Sequence, residues 1–216
     1  MKKMIFLGCL VLFFPTIVCA QEKIGPPAWN VGDKWVFYRE GPMEIVSIDK
    51  NGYGAKFSGG IFLKSLTGTA IFDKSTLNIL YLLKDSKPQE YTGARRRMFD
   101  FPLTIGKQWK DSYSRRVSGV GIDFSENVLV SGWEDVEVRA GKFKTIKLEY
   151  KLEVTMPPGV ARIGSEVAGP RGKVWYWYSP EVKNLVKCQH EKGYREGSDQ
   201  LGEREDWELM SFQLKR

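Results

Sequence analysis

Between Ile146 and Thr155 the chain alternates without a break. Ile146, Leu148, Tyr150, Leu152 and Val154 are apolar, and Lys147, Glu149, Lys151, Glu153 and Thr155 are interleaved with them. A period of two places one set on a core and the other in water when the backbone is extended. Wound into a helix, the same residues would spread charge around the whole circumference, so this stretch is committed to a strand.

The same signal recurs along the chain. Val136 and Val138 alternate with Asp135, Glu137 and Arg139, and Ala140-Gly141-Lys142 links this run to the one that starts at Phe143. A short Gly-containing link between two alternating runs reads as a hairpin. Upstream, Gly41-Pro42 reads as a turn, and Asn51-Gly52 between runs ending at Ile48 and starting at Tyr53 supplies the positive φ angles that a tight hairpin needs. Further strands are expected at 69–72, 77–83, 95–101, 113–117, 122–130, 173–178, 185–189 and 207–214. Short strands joined by Gly, Pro, Asn and Asp turns predict an all-β fold: an antiparallel curved sheet, half-open barrel or sandwich, with few or no helices in the mature chain.

One internal echo appears. Val31-Gly32-Asp33-Lys34-Trp35 and Ile105-Gly106-Lys107-Gln108-Trp109 each place an aliphatic residue and glycine before a tryptophan-bearing strand. The echo is read either as two similar halves of one curved sheet or, more plainly, as two independent turn–strand junctions, since one short echo falls short of a repeat architecture. Met156 to Gly172 is the one long Pro- and Gly-rich stretch, and is expected to be a loop or lid.

The first residues carry an address. Lys2 and Lys3 precede an apolar run from Met4 to Val18, and Val18-Cys19-Ala20 precedes the polar Gln21. This is the pattern of a secretory signal, residues 1–20, followed by a single β-rich domain, 21–216. The run contains Gly8 and Pro15 and is shorter than the roughly 20 residues of a spanning helix, so no transmembrane span is expected in the mature chain. The protein is read as exported, periplasmic or secreted. The alternative makes Cys19 a lipid anchor, although Val18 stands where lipoproteins normally carry a small residue. Losing Lys2 and Lys3 lowers the formal net charge from +7 to +5. So modest an excess on an exported chain argues against nucleic acid as a partner.

Chemistry is scarce. Cys188 alone survives cleavage, in a strand where burial is the ordinary fate of a free thiol. His190 is the only histidine, so the mature chain offers two nitrogen or sulfur side chains of the type zinc requires three or four of. Neither a catalytic constellation, nor a metal site, nor a cofactor is expected, and the protein is read as non-enzymatic. Carboxylates such as Glu149, Glu153 and those of the polar stretch from Glu196 to Glu208 read as solvated charge.

Two features remain as speculative binding residues. Arg95-Arg96-Arg97 sits beside Met98, Phe99 and Phe101; on a strand Arg95 and Arg97 would share a face that meets anionic headgroups or acidic sugars, or would simply protect an edge. Trp175-Tyr176-Trp177-Tyr178 makes both faces of one strand aromatic, with Trp175 and Trp177 on one side and Val174, Tyr176 and Tyr178 on the other. Such a strand is covered on both sides, by a core and by a loop or ligand.

"FPLTIGKQW" (101–109), "EDVEVRAGKFKTIKLEY" (134–150) and "VWYWYSPEVKNLVK" (174–187) together resemble exported bacterial β-domains of the TapB-like group and related domains of unknown function. The likeness covers roughly Val31 to Gln189. It implies an envelope β-rich fold and brings no active site to carry over. Three functional classes stay open: a domain that binds an apolar or amphiphilic molecule, such as a lipid, or an envelope protein on a curved sheet whose inner face carries aromatics such as Trp175 and Trp177; a carbohydrate-binding module; and an acid-pair hydrolase.

Overall fold

The computed structural model describes residues 22–50, 52–58, 68–84, 87–89, 97–163, 166–167, 169–191 and 206–216. The proposed signal segment, Arg95 and most of the acidic stretch before Trp207 lie outside these residues. Fourteen strands follow one another, with no helix among the described residues. They are β1 (Lys34–Phe37), β2 (Gly41–Ile48), β3 (Tyr53–Phe57), β4 (Gly68–Phe72), β5 (Ile79–Lys84), β6 (Lys87–Gln89) and β7 (Gln108–Val117). Then come β8 (Val120–Val138), β9 (Gly141–Thr155), β10 (Arg162–Ile163), β11 (Glu166–Val167), β12 (Gly169–Ser179), β13 (Asn184–His190) and β14 (Trp207–Gln213). Twelve form one antiparallel sheet in the order β6-β5-β4-β3-β2-β1-β14-β13-β12-β9-β8-β7, and β10 and β11 pair separately. The sheet is curved and open: the Trp35 indole on β1 donates to Val182 O in the β12–β13 turn at 2.9 Å, a reach that a flat sheet would not allow.

The order shows what the echo in the sequence means. The sheet is two six-stranded meanders laid side by side, β1 to β6 and then β7, β8, β9, β12, β13 and β14, with the first strand of one paired to the last of the other. Their registers match residue for residue. Ile45 faces Ala55, a bulge follows, and Ser47 faces Gly54; Val130 faces Leu148, a bulge follows, and Gly132 faces Lys147. Ala55, Ala70 and Leu82 line up across three strands as do Leu148, Tyr176 and Cys188. A second bulge lies between Ile71 and Phe72 in one half and between Trp177 and Tyr178 in the other. The turns that follow both contain a left-handed non-glycine residue, Leu77 (φ 55°) and Lys183 (φ 59°), just before an asparagine.

The entrance to each meander is built the same way. Asp33 N–H donates to Asn30 O and Lys107 N–H to Thr104 O, both at 3.0 Å, closing a turn with glycine in the left-handed region: Gly32 at φ 88° and Gly106 at φ 82°. Gly32 N–H then donates to Ile45 O while Ile45 N–H donates to Asp33 O, and Gly106, Val130 and Lys107 repeat the pattern. This is a turn flowing into a glycine-type bulge, and it aims Trp35 and Trp109 inward. The expectation of two independent junctions is therefore corrected: the junctions are equivalent parts of a duplicated unit.

Other expectations also change. Residues 97–100 belong to no strand; the chain crosses the inner face there, with a cis bond at Phe101-Pro102 and with Phe99 and Phe101 packed on Tyr178 at ring distances of 5.6 and 6.0 Å. The first turn falls at 38–40, on Arg39 with φ 71°, while Gly41 and Pro42 already pair with Phe37 and Val36. The runs at 122–130 and 136–139 are one continuous strand carrying a bulge. The stretch 156–172 holds β10, β11 and the start of β12, and its Met156 packs on a small cluster of Ile122, Phe124, Leu152 and Val154. The cover over Tyr178 comes from Phe99 and Phe101 instead.

Alanine at Gly32 or Gly106 must adopt a left-handed φ, at a cost of about 1–2 kcal/mol. A Cβ at Gly32 also meets the Lys215 side chain at 3.0 Å, whereas one at Gly106 meets nothing within 4 Å. Urea unfolding is expected to show both substitutions destabilising, Gly32→Ala by somewhat more; equal stability to the parent chain would contradict the duplicated-turn geometry.

Candidate functional site

The inner face of the curved sheet is filled by the chain itself. Before β1, Trp29 enters the concavity, its ring 5.5 Å from Trp35 and 5.1 Å from Tyr53, and its indole N–H donates to Lys183 O at 2.8 Å. Before β7, the equivalent segment lays Phe99 and Phe101 on Tyr178, and the Tyr150 hydroxyl donates to Met98 O. Ile24 and Leu103 exchange two backbone hydrogen bonds, at 3.0 and 2.8 Å, tying the two lead segments together. Val174, Tyr176 and Tyr178 project into this packing and are buried. Burial also pushes the Tyr178 hydroxyl well above the ordinary tyrosine pKa.

The expectation that Trp175 and Trp177 line the inner face is corrected: side-chain parity gives that face to Val174, Tyr176 and Tyr178, and the two tryptophans lie on the outer face, each directly opposite a β9 residue, Glu149 and Lys147 respectively. Each indole is held by a carboxylate that also takes a lysine. The Trp177 N–H donates to Glu134 Oε2 at 2.8 Å while Glu134 Oε1 accepts from Lys147 at 3.0 Å. The Trp175 N–H donates to Glu149 Oε2 at 3.1 Å while Lys173 pairs with Glu149 Oε1 at 2.9 Å. Lys147 and Lys187, the cross-strand neighbours of Trp177 on either side, put their ammonium groups 5.1 and 4.9 Å from its ring. A cation at that range over an indole face is attracted by the ring quadrupole. Trp177 is buried beneath the two lysines, and Trp175 is half-buried.

The carboxylates are tuned by this arrangement. Burial acts to raise the Glu134 carboxyl, but the Trp177 N–H, the Lys147 ammonium and the charge of Lys187 outweigh it and hold the group below its ordinary value. Burial likewise acts on Glu149, and Lys173, the Trp175 N–H and the charge of Lys151 again lower it overall.

The remaining sequence candidates are placed as follows. Arg97 is partly exposed and anchors the lead segment to β7: its N–H donates to Asp111 at 2.6 Å and its guanidinium donates to Lys110 O at 3.0 Å, with Asp100 at 3.7 Å. It stands far along the sheet order from Trp177, so the structure does not join these two candidates. Cys188 is buried between Tyr176 and Trp207 in the cross-strand row. His190 Nδ1 lies 3.3 Å from Asp206. No group of three or more His, Cys, Asp or Glu able to hold a metal occurs among the described residues, and no helix there is long and apolar enough to cross a membrane. Sequence reasoning missed Glu134, Lys147, Lys173 and Lys187 as companions of the tryptophans. Their outward parity on each strand was legible, but the register that sets them side by side was not.

No family model matches the chain, and no curated protein matches it, so the TapB-like resemblance rests on its motifs alone. Two solved structures are similar over 89% of this chain and all of their own. One is a candidate lipoprotein of Parabacteroides distasonis ATCC 8503, at 14% identity and a TM-score of 0.45. The other is a candidate exported protein with a YmcC-like fold from Bacteroides fragilis NCTC 9343, at 11% identity and a TM-score of 0.40. Likenesses this loose carry no argument about ligand, activity or address.

The lowered carboxyls give a pH signature. A group whose folded pKa lies below its unfolded value, about 4.3 for glutamate, adds stability above that value and loses it as pH falls through the folded pKa. The double variant Glu134→Gln plus Glu149→Gln should therefore show a smaller drop in Tm than the parent between about pH 5 and about pH 3. Parallel Tm curves would mean that the two carboxylates are not held as described.

Proposed function

We propose that this chain is an exported, non-enzymatic binding protein whose recognition surface is the outer face of β9, β12 and β13, and whose ligand is a polar, ring-bearing molecule of the carbohydrate type. Residues 1–20 act as the export signal, and 21–216 work as one β-rich domain in the periplasm or outside the cell. The observation that carries the reading is the pair of Glu–Trp–Lys units around Trp175 and Trp177. Aromatic rings flanked by fixed donors and acceptors suit a sugar, whose C–H face stacks on a ring while its hydroxyls find charged partners.

Binding of a lipid or other amphiphile on the inner face, the leading expectation from the sequence, is less favoured because Trp29, Phe99 and Phe101 occupy that face. An envelope protein is the second reading, favoured by the three adjacent strands, β9, β12 and β13, that make up this outer face. Arg95 and Arg97 are not needed for either.

Trp175→Ala removes the more accessible ring and should weaken glycan binding about tenfold, or about 1.4 kcal/mol, with an unchanged circular dichroism spectrum. Binding would be followed by quenching of tryptophan fluorescence across a panel of envelope glycans. A panel that gives no response sinks the carbohydrate reading and turns attention to a protein partner. The mass of protein purified from its own envelope should correspond to a chain starting at Gln21. A lipid-bearing Cys19 would replace the cleaved form with an anchored one.

A further inference from the structure

The two meanders act as an internal comparison, because positions that the fold requires should agree between them and positions that serve something else need not. At the entrances, the bulges and the left-handed turn residues they agree. On the outer face they diverge. The outer row of the first meander runs Ser47, Gly54, Ile71, Tyr81, and the equivalent row of the second runs Gly132, Lys147, Trp177, Lys187. The first row has no charge and Ile71 is buried; the second brings two ammonium groups over one indole.

Lys147 and Lys187 thus bring two cations to one ring from the strands on either side of it, and the sheet geometry alone gives no reason to place them there. Glu134 forms an ion pair with Lys147 at 3.0 Å, which leaves one cation of the row unbalanced. No carboxylate lies within ion-pair distance of Lys187 among the described residues. Glu208, directly opposite it on β14 and the next member of the row, pairs with Arg139 at 2.9 Å. The neighbouring row is balanced, since Lys151 and Lys173, which face each other across β9 and β12, are matched by Glu149, which pairs with Lys173, and by Glu191, whose carboxylate accepts from Lys173 N–H at 3.0 Å; the excess is confined to the Trp177 row. The Trp177 indole thus has two ammonium groups about its ring, at 5.1 and 4.9 Å from its centre.

We infer that the Lys147–Trp177–Lys187 row is an anion seat and that the ligand is an acidic glycan, whose carboxylate sits between the two ammonium groups while a sugar ring lies along Trp175. This rests on the recognition surface proposed above and adds its charge selectivity. A glycan is preferred to a lipid headgroup because the described residues of these rows offer aromatic and charged groups and no exposed large apolar side chain for acyl chains, Met210 on β14 being a single one beyond them.

The test titrates the mature chain with polygalacturonate, with neutral dextran and with phosphatidylglycerol vesicles, reading tryptophan fluorescence and co-sedimentation. Polygalacturonate is expected to bind, more weakly as salt shortens the Debye length from about 8 Å at physiological ionic strength. Lys147→Gln plus Lys187→Gln should lower that affinity at least about tenfold, and Lys187→Arg in place of Lys187→Gln should restore most of it, with circular dichroism confirming the fold of each. Failure of polygalacturonate to bind, or binding indifferent to the lysine variants, overturns the anion seat. Dextran binding as tightly overturns the charge selectivity while leaving the carbohydrate surface in place. Lysine-dependent binding to the vesicles in place of the polysaccharide overturns the glycan assignment.

Discussion

The antiparallel seam between β1 and β14 is the constraint on which the rest depends. It joins two meanders that otherwise share few backbone bonds, and it pairs Lys34–Phe37 with residues far later in the chain, between Leu209 and Gln213. A buried carboxylate locks it. Asp33, fully inaccessible, accepts from Asn30 N–H at 2.8 Å and from Lys215 N–H at 2.6 Å, so the entrance turn and the end of β14 are held by one side chain. Two backbone N–H groups that burial removes from water are satisfied by this one side chain. Contacts this distant in sequence cost loop-closure entropy, which the apolar burial around Trp35 offsets.

From the seam follows the curvature, and from the curvature the division of labour between the two faces. A sheet curled enough to bring the Trp35 and Trp29 indoles to the β12–β13 turn has a concave side narrow enough for its own lead segments to fill. The inner face then has a structural task, and its aromatic residues are packed in a shared cluster. The outer face of the second meander is left for polar and charged groups, and the two tryptophans there are tied down by carboxylates instead of by a core.

Much of the strand content was legible because period-two alternation is local. The run from Ile146 to Thr155 sits inside β9 with its apolar residues buried, and a hairpin joins β8 to β9 as expected, although its turn is Arg139-Ala140 and not Ala140-Gly141-Lys142, because Gly141 and Lys142 already pair with Val138 and Glu137. Residues 97–101 misled because apolar residues in an extended, cis-proline-containing segment look like a strand, although their backbone pairs with no neighbouring strand. The Gly41-Pro42 turn failed for a related reason: proline is tolerated at a strand position whose N–H is not needed, and Arg39 took the left-handed angle in its place. The echo at Val31 and Ile105 was visible, yet only matching hydrogen bonds across strands could raise it from two short strings to a duplicated unit.

The sequence by itself determined that this protein is all-β, that one face of each strand would be buried, and that Trp175 and Trp177 would share a face opposite Tyr176 and Tyr178. These follow from side-chain parity along an extended backbone, a property of neighbours in the chain. Only the tertiary structure decided which face is inner, which carboxylate meets which indole, and that two lysines flank one tryptophan. Those depend on the registers between strands, set by bulges and turns that bring together residues as far apart as Glu134 and Trp177.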